Sequence, residues 1–133
     1  MDKKLNAKLL NPLSLAYVGD AVLDQHVRTH IILKHQSKPN RLHQVATHFV
    51  SAKSQAATLE ILLARGWFTE AEEDVLKRGR NAKSYTKAKN TDIQTYRKSS
   101  ALEAVIGYLY LDNQHERLKV LLDDIVLIVE ERS

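Results

Sequence analysis

The sequence contains no cysteine, which removes both a disulfide framework and any thiolate-ligated metal centre. A chain of this kind suits a reducing compartment, and a cytoplasmic location is expected. Its four glycines stand apart at positions 19, 66, 79 and 107, so no glycine-rich loop exists to cradle a nucleotide phosphate. No Gly-x-Ser-x-Gly elbow accompanies the serines. Long apolar runs are missing as well. The most apolar stretches, Ala104–Leu111 and Ile125–Val129, fall far short of the roughly 20 residues needed to span a bilayer. The start, Met1-Asp2-Lys3-Lys4, leads into no apolar export segment. No membrane partner is expected. Period-2 alternation, internal repeats and low-complexity tracts are also lacking, so nothing points to a β-sheet.

What is present suits one globular domain over residues 1–133. Hydrophobic residues make up 44% and charged residues 27%, which argues against disorder, and this length buries most of its apolar surface without staples. The formal charge is +4, but its distribution says more than its sum. Between Lys77 and Lys98, eight Lys or Arg residues (77, 78, 80, 83, 87, 89, 97, 98) face one acid, Asp92. A one-signed block inside a folded chain is either a surface for an anionic partner or a solvated loop.

Every regular segment reads as helix. Apolar residues at 13, 16, 17, 23, 27 and 31 form a 3.6-residue stripe over Leu13 to about Leu33, with Pro12 suited to a first turn. Asn40 is placed to cap a second helix through Leu42, Val45 and Phe49. Ser51 to Arg65 forms a third, stopped by Gly66. Thr69 and Glu72 form a capping box for a helix ending at Gly79, which is expected to take the left-handed position after it. Arg80–Lys98 shows no sustained period and reads as a loop. A helix starts again near Ala101, and a last one spans about His115 to Glu131. That one is apolar almost all round, so burial on two sides is expected.

Two carboxylates stand out. Asp20 lies one turn from Ala16, Tyr17, Leu23 and Asp24, and a carboxylate in an apolar stripe is costly unless paired or bound to a cation. Gly19 beside it costs a helix about 1 kcal/mol relative to alanine, which implies close approach by something. Pairing with a Lys or Arg at the stripe's edge would also account for Asp20. Glu103 fits a capping box with Ser100, yet Gly107 one turn later repeats the acid–glycine pairing within an apolar run. Two such carboxylates brought together would suit a hard divalent cation such as Mg²⁺. His26 and His30 share the i, i+4 spacing of a helical zinc site, but the general base of that motif is missing, and a half-exposed face explains them better.

Taken together these segments resemble a known family. Tyr17-Val18-Gly19-Asp20-Ala21-Val22-Leu23 resembles the signature helix of ribonuclease III catalytic domains, and Leu102-Glu103-Ala104-Val105-Ile106-Gly107-Tyr108-Leu109-Tyr110-Leu111 resembles their second acidic motif. Val50–Ala56 and Leu76–Ser84 are similar to the short bacterial Mini-ribonuclease III branch, which lacks a separate double-stranded-RNA-binding domain. The likeness covers about Leu13 to Leu111. It implies an all-α, ribonuclease III-like homodimer that hydrolyses both strands of duplex RNA with Mg²⁺, leaving 5′-phosphate and 3′-hydroxyl ends. By this likeness Asp20 and Glu103 are catalytic and metal-binding, and Tyr17 lies at the dimer interface. With no RNA-binding domain, Arg78, Arg80, Asn81, Lys83, Lys87 and Lys89 are expected to contact RNA. The branch further implies large-subunit ribosomal RNA precursor as substrate, with ribosomal proteins as accompanying partners.

The chain departs from the full-length enzymes where they carry further acids. It has Leu13, Ala16 and Ser100 at three such positions and no acid near Pro39-Asn40. One Mg²⁺ with waters completing its shell is therefore the economical expectation, with Asp24 placed to orient them. Two other readings of the same residues are a non-catalytic duplex-RNA-binding ribosome-assembly factor and a helical protein–protein adaptor.

Overall fold

The computed structural model describes residues 6–35, 38–82 and 92–132. Among them every regular element is helical, as the periodicity requires: α1 (Pro12–His30), α2 (Leu42–Val50), α3 (Ala52–Ala64), α4 (Glu70–Asn81), α5 (Ile93–Leu111) and α6 (His115–Arg132), with short 3-10 turns at Ala7–Leu9 and Pro39–Arg41 and a π-helical turn at Ile31–His35. No helix among the described residues is long and apolar enough to cross a membrane.

The core is built around α5. From Ser99 to Leu109 every residue of this helix is buried except Glu103, as expected of a helix apolar on all sides. Its most extensive partner is α1, followed by α4 and α3. The last helix, α6, buries Leu118, Leu121, Leu122, Ile125, Val126, Ile128 and Val129, but Val120 and Leu127 stay about half exposed. The all-round apolar helix that forms the centre is thus α5, with α6 at the side.

Local chemistry sets several boundaries. Asn11 caps α1 by accepting a hydrogen bond from the Leu13 amide at 2.8 Å, with Pro12 in the first turn. Ser51 caps α3, and Gly66 leaves it with φ +62°. The Thr69–Glu72 capping box is formed in both directions, with acids in the first turn of α4 and Arg78 and Arg80 in the last, complementing the helix dipole. Glu72 is itself buried. Its carboxylate receives two hydrogen bonds from Arg117, at 2.7 and 2.8 Å, while that guanidinium lies 3.7 Å over the Trp67 ring. Burial pushes the Glu72 carboxyl up, but Arg117 and the Thr69 amide outweigh this and hold it below the ordinary glutamate range.

Four expectations are corrected. Asn40 does not cap α2: Pro39 already starts a 3-10 turn, and the cap position falls to Arg41, whose side chain makes no capping bond. Gly79 is not a left-handed terminator but an interior residue of α4, where a Cβ would come 3.0 Å from the Ala101 Cα and 3.1 Å from the Ala104 Cβ. The helix expected near Ala101 starts earlier: α5 begins at Ile93, capped by Asp92 through the Thr95 amide at 2.8 Å, so the Arg80–Lys98 stretch is helical at both ends. Consequently Ser100 is a buried mid-helix residue and forms no capping box with Glu103. The first two turns of α5 are silent to pattern because Ile93, Gln94 and Arg97 are exposed and Thr95, Tyr96 and Lys98 half-buried, leaving no apolar stripe to read.

Candidate active site

The buried face of α1 runs through Leu15, Gly19, Leu23, Val27 and Ile31. Glycine, not tyrosine, occupies the centre of this face. A Cβ on Gly19 would lie 1.8 Å from the Glu103 carbonyl oxygen and 2.8 Å from the Gly107 amide nitrogen; one on Gly107 would lie 1.9 Å from the Leu15 carbonyl oxygen. Hence α1 and α5 cross backbone against backbone, each notched by a glycine facing the other. This is the close approach that the acid–glycine pairs imply.

The crossing brings the two acids together. Asp20 is exposed and Glu103 half-buried, and Asp20 lies close enough to act on the Glu103 carboxyl. Burial, then the hydrogen bond and charge of Asp20, push the Glu103 carboxyl up to about 9, while a hydrogen bond from Gln55 pulls it the other way. Burial and the nearby Asp20 thus disfavour an ionised Glu103, and a cation bound beside it would offset both. The capping account of Glu103 and the Lys/Arg account of Asp20 both give way to this pair.

Gln55 of α3 completes the inner wall and is 2% exposed. Its amide nitrogen donates to the Val50 carbonyl at 2.9 Å and to Glu103 Oε2 at 3.3 Å. Its Oε1 is buried without a hydrogen-bond partner among the described residues. Sequence reasoning missed this residue. The signal available was the a/d spacing of Ala52, Gln55, Leu59 and Leu62, which puts a glutamine in the buried stripe of α3.

The two carboxyl groups offer an all-oxygen donor set, and this fits a hard cation such as Mg²⁺ better than a soft one. Among the described residues no third Asp, Glu or His joins them as a ligand cluster. Ala16 is half-buried and Ser100 buried, and neither side chain brings a charge to the site.

The other expected residues are spread around this centre. Asp24 is held by Arg28 at 2.9 Å on the outer face of α1. Tyr17 is 83% exposed, so it does not pack inside its own chain. Arg80 and Asn81 are exposed on the last turn of α4. Arg78 is half-buried and turned inward, donating to the carbonyl oxygens of Lys8 and Leu10, the latter at 2.8 Å. Lys83, Lys87 and Lys89 lie outside the described residues. His26 and His30 face α6, at 3.4 Å from Asp123 and 2.9 Å from Glu130 respectively; burial lowers His26 despite its acidic neighbour.

Comparison with known proteins gives the family and the fold. The Ribonuclease III domain family matches residues 13–114. The chain is 70% identical over 125 residues to Mini-ribonuclease 3 of Staphylococcus aureus, covering 94% of this chain and 93% of that one. It is 48% identical over 126 residues to Mini-ribonuclease 3 of Streptococcus pneumoniae, covering 95% and 98%. In fold it is similar to a crystal structure of a protein from Fusobacterium nucleatum, with a TM-score of 0.77 at 24% identity over 94% of this chain and 96% of that one.

Proposed function

The chain belongs to the ribonuclease III family, among the Mini-ribonuclease 3 proteins, and we propose that it is a Mg²⁺-dependent endoribonuclease that cuts both strands of duplex RNA as a homodimer. The family carries endonuclease action on double-stranded RNA in general. The proposal adds the metal, the dimer, large-subunit ribosomal RNA precursor as substrate, ribosomal proteins as accompanying partners, and action in the cytoplasm.

The observation that carries the reading is the Asp20–Glu103 carboxyl pair at the glycine crossing. A non-catalytic RNA binder has no use for two acids beside a polyanion, where they would repel phosphate. Bound between them, Mg²⁺ would supply a nucleophilic water and stabilise charge developing on the phosphate oxygens. Asp20, exposed on α1, would be open to a phosphate arriving from solvent. Glu103, recessed on α5, is steadied by the Gln55 amide. Hydrolysis at the phosphate would leave 5′-phosphate and 3′-hydroxyl ends.

Arg80 and Asn81 on the end of α4, with Lys83, Lys87 and Lys89 in the sequence beyond it, would contact the RNA backbone. Arg78, with its donors engaged by Lys8 and Leu10, would instead hold α4 in place beneath them, and this shifts the expected contacts to its neighbours. Discrimination would rest on duplex shape and 2′-hydroxyl groups, since the deep major groove of A-form RNA admits few side chains. Tyr17 presents its ring to solvent three residues before Asp20. A two-fold contact through it would put two cleavage centres on one duplex.

Incubating the purified protein with duplex RNA, with and without Mg²⁺, tests the reading. Cleavage that needs the metal and falls at least a hundredfold in Asp20→Asn is expected. Undiminished cutting by that variant, or none by the wild-type protein with Mg²⁺, refutes it.

A further inference from the structure

We infer that Gln55 is a positioning residue of the cleavage site: its amide nitrogen fixes the Glu103 carboxylate, and its carbonyl oxygen accepts a hydrogen bond from a water on the cation held by Asp20 and Glu103. This rests on the metal-dependent reading above. The orientation of the amide is set by its neighbours. The Val50 carbonyl, 2.9 Å away, can only accept, so the atom facing it is the nitrogen. The same nitrogen reaches Glu103 Oε2 at 3.3 Å. That leaves Oε1 pointing elsewhere, buried and without a partner among the described residues.

A buried acceptor left unmatched costs about 1–3 kcal/mol, and native interiors seldom tolerate one without a reason. Holding the α2–α3 junction at Val50 uses only the nitrogen and gives the oxygen no purpose. Position gives it one. Within an amide the nitrogen and oxygen are about 2.2 Å apart, so Oε1 lies no more than about 5.5 Å from Glu103 Oε2. That separation suits two groups linked through one water. A site with two carboxylates leaves a small hard cation several waters, and each water needs an acceptor that points it. Groups acting in this way change metal affinity by about 10–100-fold when removed.

Two variants separate this role from a structural one, because both lose the nitrogen's bonds to Val50 and Glu103 while only one loses the oxygen. Gln55→Met removes both, and Gln55→Glu keeps Oε1. Binding of Mn²⁺ to the whole, RNA-free protein is followed by electron paramagnetic resonance, alongside thermal unfolding in EDTA. Gln55→Met should bind Mn²⁺ about tenfold or more weakly than wild type, and Gln55→Glu more tightly than Gln55→Met. Wild-type affinity in Gln55→Met, or equal weakening in both variants, overturns the inference. If Gln55→Met does not fold, the shorter Gln55→Asn decides: Mn²⁺ binding weakened about tenfold at an unchanged Tm supports the role, and wild-type affinity overturns it. A wild-type protein that binds no Mn²⁺, or an Asp20→Asn variant that binds it as well as wild type, overturns the metal reading itself and the inference with it.

Discussion

Gly19→Ala adds one methyl group at the point where the fold and the site depend on each other. The new Cβ would lie 1.8 Å from the Glu103 oxygen, 2.7 Å from its carbonyl carbon and 2.8 Å from the Gly107 nitrogen. All three are backbone atoms and cannot rotate aside, so α1 and α5 must part by more than an ångström along their main contact. Alanine gains about 1 kcal/mol of helix propensity. Overpacking a tight interior costs about 1–3 kcal/mol and sometimes more. A backbone overlap belongs at the upper end, so a net loss of about 2 kcal/mol is expected. For a domain of this size that lowers Tm by roughly 6–10 °C. Cleavage should fall further than stability, because Asp20 adjoins the altered residue and Glu103 carries the displaced carbonyl; a 1 Å misplacement can cost about a hundredfold in rate. Gly66→Ala is the control. A Cβ there meets nothing within 4 Å, though φ is +62°, so it should lose about 1 kcal/mol and leave the rate intact. Calorimetry and single-turnover cleavage decide. A Gly19→Ala protein with wild-type Tm and wild-type cleavage would refute the crossing as described.

In the metal-free protein, Glu103 is pushed up to about 9 in the folded state, against about 4.3 when exposed. The folded state then binds the extra proton, so this group's contribution makes stability fall as pH rises between those values. Glu103→Gln should flatten that slope and raise Tm near neutral pH in EDTA while abolishing cleavage; an unchanged slope removes the coupling. Tyr17→Asp should give a folded monomer by sedimentation at micromolar protein, since truncating a central interface anchor costs about 2 kcal/mol or more. A wild-type monomer, or a dimeric and active variant, rejects the interface. Arg80→Ala with Lys83→Ala should weaken duplex binding across unrelated sequences and flatten its log–log salt dependence by roughly two units. An unaltered slope returns these residues to ordinary solvated charge.

The fold class was legible because four of the six helices carry either a clean apolar stripe or explicit end signals. Thr69 with Glu72, Pro12 and Gly66 each act as their chemistry dictates. Misreadings arise where a residue type has two uses. Asn40 has the side chain of a cap but follows a proline that has already begun the turn. Ser100 and Glu103 have the spacing of a capping box, and that spacing is equally one turn of any helix interior. Gly79 has the chemistry of a terminator, yet it clears room for Ala101 and Ala104.

The site was half legible for the same reason. Apolar periodicity detects burial only through large side chains, so a buried face passing through glycine reads as interrupted. On α1 the stripe was therefore drawn through Tyr17, which is exposed, when its centre is Gly19, which is buried. The acid beside each glycine was visible. What pattern could not supply was that Gly19 and Gly107 face each other, a fact of helix packing that no local spacing encodes. Gln55 shows the complementary blindness. A polar residue in a buried stripe reads as a break in the helix face, although a buried amide is where satisfaction of every donor and acceptor must be counted. The nitrogen of Gln55 is accounted for within the chain and its oxygen is not. The same count that separates Gln55 from its apolar neighbours on α3 thus marks a wall of the carboxyl pair that a search for apolar residues alone passes over.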